Sequence, residues 1–146
     1  MHAAHASFSL REYMARSHAY LRNLFARLLT AMEHDAPDVR ALWAELDAGL
    51  MTHMEAEERY VIPAFAREDL VAARSLLVDH AAFRDQLLEL GVAVDLHCFR
   101  YPRARELTDL LDAHATREDE LLYRWAERAL HPSIIQTIRD HLAAGT

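Results

Sequence analysis

Apolar residues recur every three or four positions along most of the chain, which is the period of a helix with one buried face. The first such stripe follows Ser9 and Glu12, whose spacing is that of a capping box at the start of a helix. The stripe lasts to about His34. Its apolar members are Met14, Leu21, Phe25, Leu28 and Met32. The pattern predicts one long amphipathic helix.

Three further stripes predict three more long helices. The second begins at Pro37 and frays near Pro63, since proline is tolerated in a first turn but not inside a helix. The third runs from about Asp69 to about Val94, and the fourth opens at Pro102. Their apolar positions are Leu42, Leu46, Leu50, Met54 and Val61 in the second, Leu76, Leu77, Phe83, Leu87 and Leu90 in the third, and Leu107, Leu110, Leu111, Leu121, Leu122 and Trp125 in the fourth.

The order of these helices predicts an all-α fold. Four long helices with short connections favour an up-down-up-down four-helix bundle over about residues 10–129. Pro132 starts a short fifth helix, expected over about residues 133–144. We expect residues 1–146 to form a single domain, and no stretch predicts a strand, a phosphate-binding loop or a serine-hydrolase elbow.

Composition excludes several function classes. A net charge of −7 argues against a nucleic-acid-binding face, which needs clustered Lys and Arg. No apolar run approaches the roughly 18 residues of a membrane span, and the N-terminus lacks the apolar segment of a signal peptide. Cys98 is the only cysteine, so neither an internal disulfide nor a cysteine-based metal site is expected. A cytoplasmic location is the expectation.

Polar residues interrupt the predicted core stripes at equivalent places. His53 and Glu57 continue the stripe of the second helix, and His114 and Glu118 that of the fourth. His18 and His80 fall in the stripes of the first and third helices. The distance of each histidine from the turn that joins its helix to the next can be counted in residues. For each pair of consecutive helices, the two histidines differ in this distance by at most about 4.5 Å of helix rise. The four histidines are therefore predicted to meet at one level of the core, with both glutamates one turn away.

An internal repeat supports this arrangement. Thirty-four residues separate His18 from the pair His53-x-x-x-Glu57, and 33 separate His80 from the pair His114-x-x-x-Glu118. Two helical hairpins would then contribute equivalent groups around a pseudo-two-fold axis. A single core histidine is more often hydrogen-bonded than metal-bound, and one such pair is common on helix surfaces. Two pairs and two further histidines at one depth favour a metal site.

The donor types indicate how many ions such a site would hold. Buried imidazoles and carboxylates are costly without partners, and a bound metal uses both types. The six residues exceed the need of one four-coordinate zinc ion. Two ions bridged by the two carboxylates fit better, each with two histidines and room for an oxygen bridge or an external ligand. The other histidines are predicted to lie outside the site: His2, His5, His34, His97, His131 and His141.

These residues resemble the hemerythrin-like (HHE cation-binding) domain family over about residues 10–129. The resemblance rests on His18, the stretch HMEAEERYVIP at 53–63, His80 in VDHAAF, and HATREDELLY at 114–123. It implies a non-heme di-iron site, oxo- or hydroxo-bridged, in a four-helix bundle, with zinc or manganese as substitute metals. Glu57 and Glu118 would be the bridging carboxylates and the four histidines the terminal ligands.

The chain departs from the oxygen-carrying members of that family at two positions. Those members have a second histidine four residues after the third-helix histidine, where this chain has Arg84. Their fourth-helix carboxylate is an aspartate that corresponds to Asp119. A regular helix places Glu118 about 40° round from His114 and Asp119 about 140° round, so Glu118 is the expected ligand unless a π-bulge reverses the choice. A missing histidine argues against reversible oxygen carriage.

Two functions stay open at this point. The chain can be a binder or sensor of O2, NO or iron itself, or a small redox enzyme that consumes peroxide, O2 or NO. A purely structural bundle is the third and weakest alternative. Neither a catalytic residue nor a protein partner is assigned, although Tyr20, Tyr60 and Tyr123 lie within a turn or two of the candidate ligands.

Overall fold

The computed structural model describes residues 9–98 and 100–144, which form helices connected by short turns and contain no strand. We number five helices along the chain. They are α1 (Leu10–Glu33), α2 (39–65), α3 (Leu70–Asp95), α4 (101–129) and α5 (Pro132–Ala144). The first four pack in a ring, because α1 and α3 each contact both α2 and α4. The predicted all-α bundle with a short C-terminal helix is confirmed.

Local signals in the sequence set the helix starts. The Ser9 side chain accepts a hydrogen bond from the Glu12 N–H at 3.2 Å, as the capping box predicts. The Asp69 side chain caps α3 by accepting from the Ala72 N–H at 3.0 Å. The second helix begins at Val39, two residues after the proline that was expected to open it. None of the described helices is long and apolar enough to span a bilayer.

Both α2 and α4 contain a π-helical segment that begins at a glutamate. The segments are Glu57–Val61 and Glu118–Tyr123. In α2 the Ile62 N–H bonds to the Glu57 carbonyl, five residues back. The helix then continues through Pro63 and ends at Phe65, two residues past the proline near which it was expected to fray. Proline lacks an N–H and crowds the preceding turn, and the wider π turn just before Pro63 accommodates both effects.

The π segment in α4 also changes which residues face the core. Leu121 was predicted to be buried but is 48% exposed, whereas Leu122 and Tyr123 are buried. An added residue in the turn rotates the following positions by about one step.

Leu77 and Leu110 were also wrongly placed in the core. Consecutive helical residues point about 100° apart, so only one of two adjacent leucines can face inward fully.

The core consists of two apolar clusters with a polar layer between them. One cluster fills the end of the bundle that holds the α1–α2 turn and contains Phe25, Leu46 and Leu87. The other, which contains Met14, Leu76 and Leu122, lies at the opposite end. The histidines and glutamates of the repeat fall between these clusters along every long helix. The fold therefore encloses the polar layer on both sides with apolar side chains.

Candidate metal centre

The structure brings all six candidate ligands together in this polar layer. One comes from α1, two from α2, one from α3 and two from α4; they are His18, His53, Glu57, His80, His114 and Glu118. Five of these residues are buried. The side chain of His18 is 15% exposed and forms the edge of the cluster.

Ligand atoms in the cluster divide into two groups, each spanning no more than 4.8 Å. His18 and His53 form one group with both glutamates, and we call it the α1–α2 half. His80 and His114 form the other with the same two glutamates, and we call it the α3–α4 half. Both carboxylates are thus shared between the halves.

Each glutamate contacts histidines from both halves. Glu57 Oε1 lies 3.5 Å from His53 Nε2 and 3.4 Å from His80 Nε2. Glu118 Oε1 lies 3.4 Å from His18 Nε2 and 3.2 Å from His114 Nε2. A carboxylate placed between two imidazole nitrogens in this way can bridge two cations.

Several of these buried atoms lack a hydrogen-bond partner. They are Glu57 Oε1, His80 Nε2, His114 Nε2 and both carboxylate oxygens of Glu118. The nitrogens and oxygens approach one another closely, yet they are not aligned as donors and acceptors. Unsatisfied buried polar atoms are uncommon in folded proteins and costly. Bound cations would satisfy all of them, so the donor set fits a metal centre.

Electrostatics in the cluster point the same way. Burial, together with the neighbouring Glu118, raises the pKa of Glu57 well above its usual value. Burial also opposes ionisation of Glu118, but contacts with Glu57 and with the histidines His114, His18 and His80 hold its pKa well below the usual value. Two carboxylates this close are not both ionised without positive charge nearby. Cations between them would allow both to be ionised.

In the α3–α4 half, the ring nitrogen of each histidine that points away from the cluster contacts a carboxylate. His80 Nδ1 lies 3.0 Å from Glu58 Oε2, and the same oxygen accepts a hydrogen bond from Arg84 Nη2 at 2.7 Å. Burial opposes ionisation of Glu58, but the hydrogen bonds from Arg84 and His80 lower its pKa below the usual value. Arg84, which stands where the oxygen carriers have their extra histidine, therefore binds Glu58.

His114 has an equivalent arrangement. Its Nδ1 lies 2.8 Å from Asp79 Oδ2, and Arg117 forms an ion pair with the same oxygen. His53 differs, because its Nδ1 lies 2.8 Å from the hydroxyl of Ser17. Sequence reasoning missed Ser17, Glu58 and Asp79. Their place in the sequence could have indicated them, because each is directly adjacent to a candidate ligand.

The structure places Glu118, not Asp119, in the core, even though a π segment begins there. Asp119 turns away and accepts two hydrogen bonds from Arg11, at 2.7 and 2.9 Å. Tyr123, at the other end of the π segment, is buried and donates a hydrogen bond to Glu57 Oε2. The other two tyrosines that the sequence placed near the ligands differ: Tyr20 donates a hydrogen bond to Glu45 at the surface, and the ring of Tyr60 packs against His141.

The remaining histidines of the described chain lie outside both groups. His34 contacts the Thr30 carbonyl at a helix end, and His131 contacts Ser133 before α5. His97 lies in the α3–α4 connection with left-handed backbone. His2 and His5 lie outside the described residues.

A cavity of about 40 Å³ borders the cluster. Its exposed wall is mainly apolar and includes Phe25, Leu50 and Phe83, and every candidate ligand except His80 also lines it. Arg22 and Asp112 also line it, and they form a 2.8 Å ion pair at the protein surface. Such a cavity is large enough for a diatomic molecule or a few atoms.

Comparison with known proteins agrees with the geometry. Residues 9–126 match the model of the hemerythrin HHE cation-binding domain. The chain belongs to this family. Searches of curated proteins and of solved structures returned no match. This hemerythrin HHE domain thus contains two groups of His and Glu side chains that are able to hold metal.

Proposed function

We propose that this chain binds two iron ions through its six clustered His and Glu side chains and uses them to interact with O2, NO or peroxide. The observation that carries the proposal is the sharing of Glu57 and Glu118 by two separate histidine pairs. Family membership supports it independently.

Two ions account for the donor set better than one. Each half contains two imidazoles, and both halves use the same two carboxylates. A single four-coordinate zinc would leave two of the six groups buried without a partner. Imidazole and carboxylate without thiolate suit iron and manganese at least as well as zinc. Cys98, the chain's only cysteine, is exposed in the α3–α4 connection.

The protein side chains would orient this centre and control access to it. Bound iron would supply redox chemistry and open coordination positions. Tyr123 holds one oxygen of Glu57, so the other oxygen remains directed at His53 and His80. The apolar walls of the neighbouring cavity favour a small uncharged ligand over a charged one.

A redox enzyme that consumes peroxide, O2 or NO is the second candidate function. The observation that favours it is the position of Arg84, whose guanidinium is held by Glu58. The chain therefore offers two histidines per half and no additional one at residue 84. Fewer protein ligands leave more of the coordination sphere open to an oxidant.

Stopped-flow absorption spectroscopy tests both the proposal and this choice. Iron-loaded protein would be reduced without oxygen and mixed separately with O2, NO and peroxide. We expect O2 to abolish the ferrous state, and we expect removal of O2 not to restore it. Full recovery of ferrous protein on removal of O2 would favour reversible binding. An iron-loaded protein that responds to none of the three ligands would contradict the proposed function.

A further inference from the structure

The two halves of the cluster differ in what contacts the outer nitrogen of each histidine. In the α3–α4 half, His80 Nδ1 and His114 Nδ1 each lie within 3.0 Å of a carboxylate oxygen, from Glu58 and Asp79. An arginine forms an ion pair with each of these carboxylates, which favours the ionised form. An ionised carboxylate can only accept hydrogen bonds. Each Nδ1–H therefore donates to its carboxylate, and each Nε2 faces the cluster.

The α1–α2 half has no such constraint. The Ser17 hydroxyl beside His53 Nδ1 can donate or accept, so it does not fix where the ring proton lies. His18 Nε2 and His53 Nε2 lie only 2.9 Å apart, as a hydrogen-bonded pair. One of these two nitrogens carries a proton in that bond. A cation entering this half must displace the proton and break the bond.

In the α3–α4 half, by contrast, the nitrogens that face the cluster form no hydrogen bond with each other. His80 Nε2 and His114 Nε2 are buried and have no hydrogen-bond partner. Their side chains are also less exposed than that of His18, at 1% and 7% against 15%. A cation bound here breaks no hydrogen bond between ligands and satisfies two orphaned atoms.

We propose that the two halves load in order, the α3–α4 half first and tightly, the α1–α2 half second and more weakly. Glu58 and Asp79 are the positioning residues that create the difference, acting through the rings of His80 and His114. The ion in the α1–α2 half is then the exchangeable one. This inference rests on the two-ion centre proposed above.

Zinc titration of the metal-free, full-length chain tests the order directly. Zinc is diamagnetic, so the ring resonances of individual histidines can be followed by NMR, with affinities from calorimetry. We expect His80 and His114 to shift with the first equivalent, and His18 and His53 only with the second. We expect the two dissociation constants to differ by about 10-fold or more, the size of effect that partners of ligating histidines have.

Variants test the assigned cause. Glu58→Gln combined with Asp79→Asn should weaken the first binding step by about 10- to 100-fold and leave the second little changed. It should also weaken the hydrogen bonds that Nδ1 of His80 and His114 donates in the metal-free protein, because a neutral amide replaces an ionised acceptor, and the Nδ1 chemical shifts report this change. Glu89→Gln is the matched control, because Glu89 on α3 pairs with Arg103 without contacting the cluster.

A converse variant, Ser17→Asp, gives His53 a carboxylate like those of the other half. It should strengthen the second binding step and reduce the difference between the two dissociation constants. Two zinc ions bound with indistinguishable affinity, or a first equivalent that shifts His18 and His53, would overturn the order of loading while leaving the metal centre intact. Absence of zinc binding would contradict the metal centre itself.

Discussion

Tyr123, at the end of one π-helical segment, donates a hydrogen bond to Glu57, at the start of the other. Both side chains are fully buried. Burial and the nearby Glu57 raise the pKa of the Tyr123 phenol well above its usual value, so it keeps its proton and stays a donor. The contact links α2 to α4 inside the polar layer and fixes the orientation of a shared carboxylate.

Replacing Tyr123 with Phe removes this donor and leaves a buried carboxylate oxygen without a partner. We expect the metal-free protein to lose about 1–3 kcal/mol of unfolding free energy, measured by urea denaturation. Tyr20→Phe is the control, because the hydroxyl of Tyr20 bonds Glu45 at the surface and its loss should cost far less. Equal stability of the two variants would show that the buried contact does not orient Glu57.

The neighbours Glu118 and Asp119 should behave differently when neutralised. Glu118→Gln removes a shared carboxylate and should lower metal retention strongly. Asp119→Asn breaks only a pair with Arg11 whose side chains are 42% and 40% exposed, and it should keep the metal. Surface pairs of this kind contribute about 0–1 kcal/mol. Metal content of the two purified variants checks this, and loss of metal from the Asp119 variant alone would reverse the assignment.

Histidine variants should separate cluster from periphery. His53→Ala and His114→Ala each remove one imidazole from a different half, so each should reduce bound metal markedly. His97→Ala and His131→Ala alter residues outside both groups and should leave metal content unchanged. Elemental analysis of the four proteins side by side makes the comparison. Similar losses from all four would mean that the metal is not held by the clustered residues.

Much of the fold could be predicted from the period of apolar residues. The capping box at Ser9, the two hairpins and the meeting of the six polar side chains followed from spacing alone. The π segments could not, because a single added residue in a turn leaves no strong mark in the apolar pattern. Leu121 shows the result: it continues the regular stripe but points outward. The apolar stripe correctly predicted that Glu118 is buried, but it does not predict which residues of the following π segment are buried.

The contacts behind the histidines were also beyond the sequence pattern. Glu58 and Asp79 read as ordinary surface acids, since charged residues next to a core position usually face water. Only the packed helices show Arg84 turned towards Glu58 and Arg117 towards Asp79. Arg84 had suggested a missing ligand, and the structure gives it a second role, because it holds Glu58, the partner of His80.

Close packing away from the metal centre gives a stability prediction. A Cβ atom on Gly91 would overlap the ring of Trp43, which is held by a 3.3 Å hydrogen bond to the Leu87 carbonyl. We expect Gly91→Ala to destabilise the fold by about 1–3 kcal/mol through overpacking. Gly49→Ala is the control, because its Cβ would lie 3.0 Å from a terminal carbon of Leu21 and 3.8 Å from Tyr20, and alanine favours the helix. Thermal unfolding should show a lower midpoint for the first variant only.

Two metal ions are proposed to share Glu57 and Glu118, and the metal content of the purified protein is the decisive measurement. Protein expressed with adequate iron and purified without chelators should contain close to two iron ions per chain, one for each half. Removing the iron should lower the melting temperature, because the buried donors lose their partners. A stoichiometric single zinc ion in a closed tetrahedral shell would contradict the account.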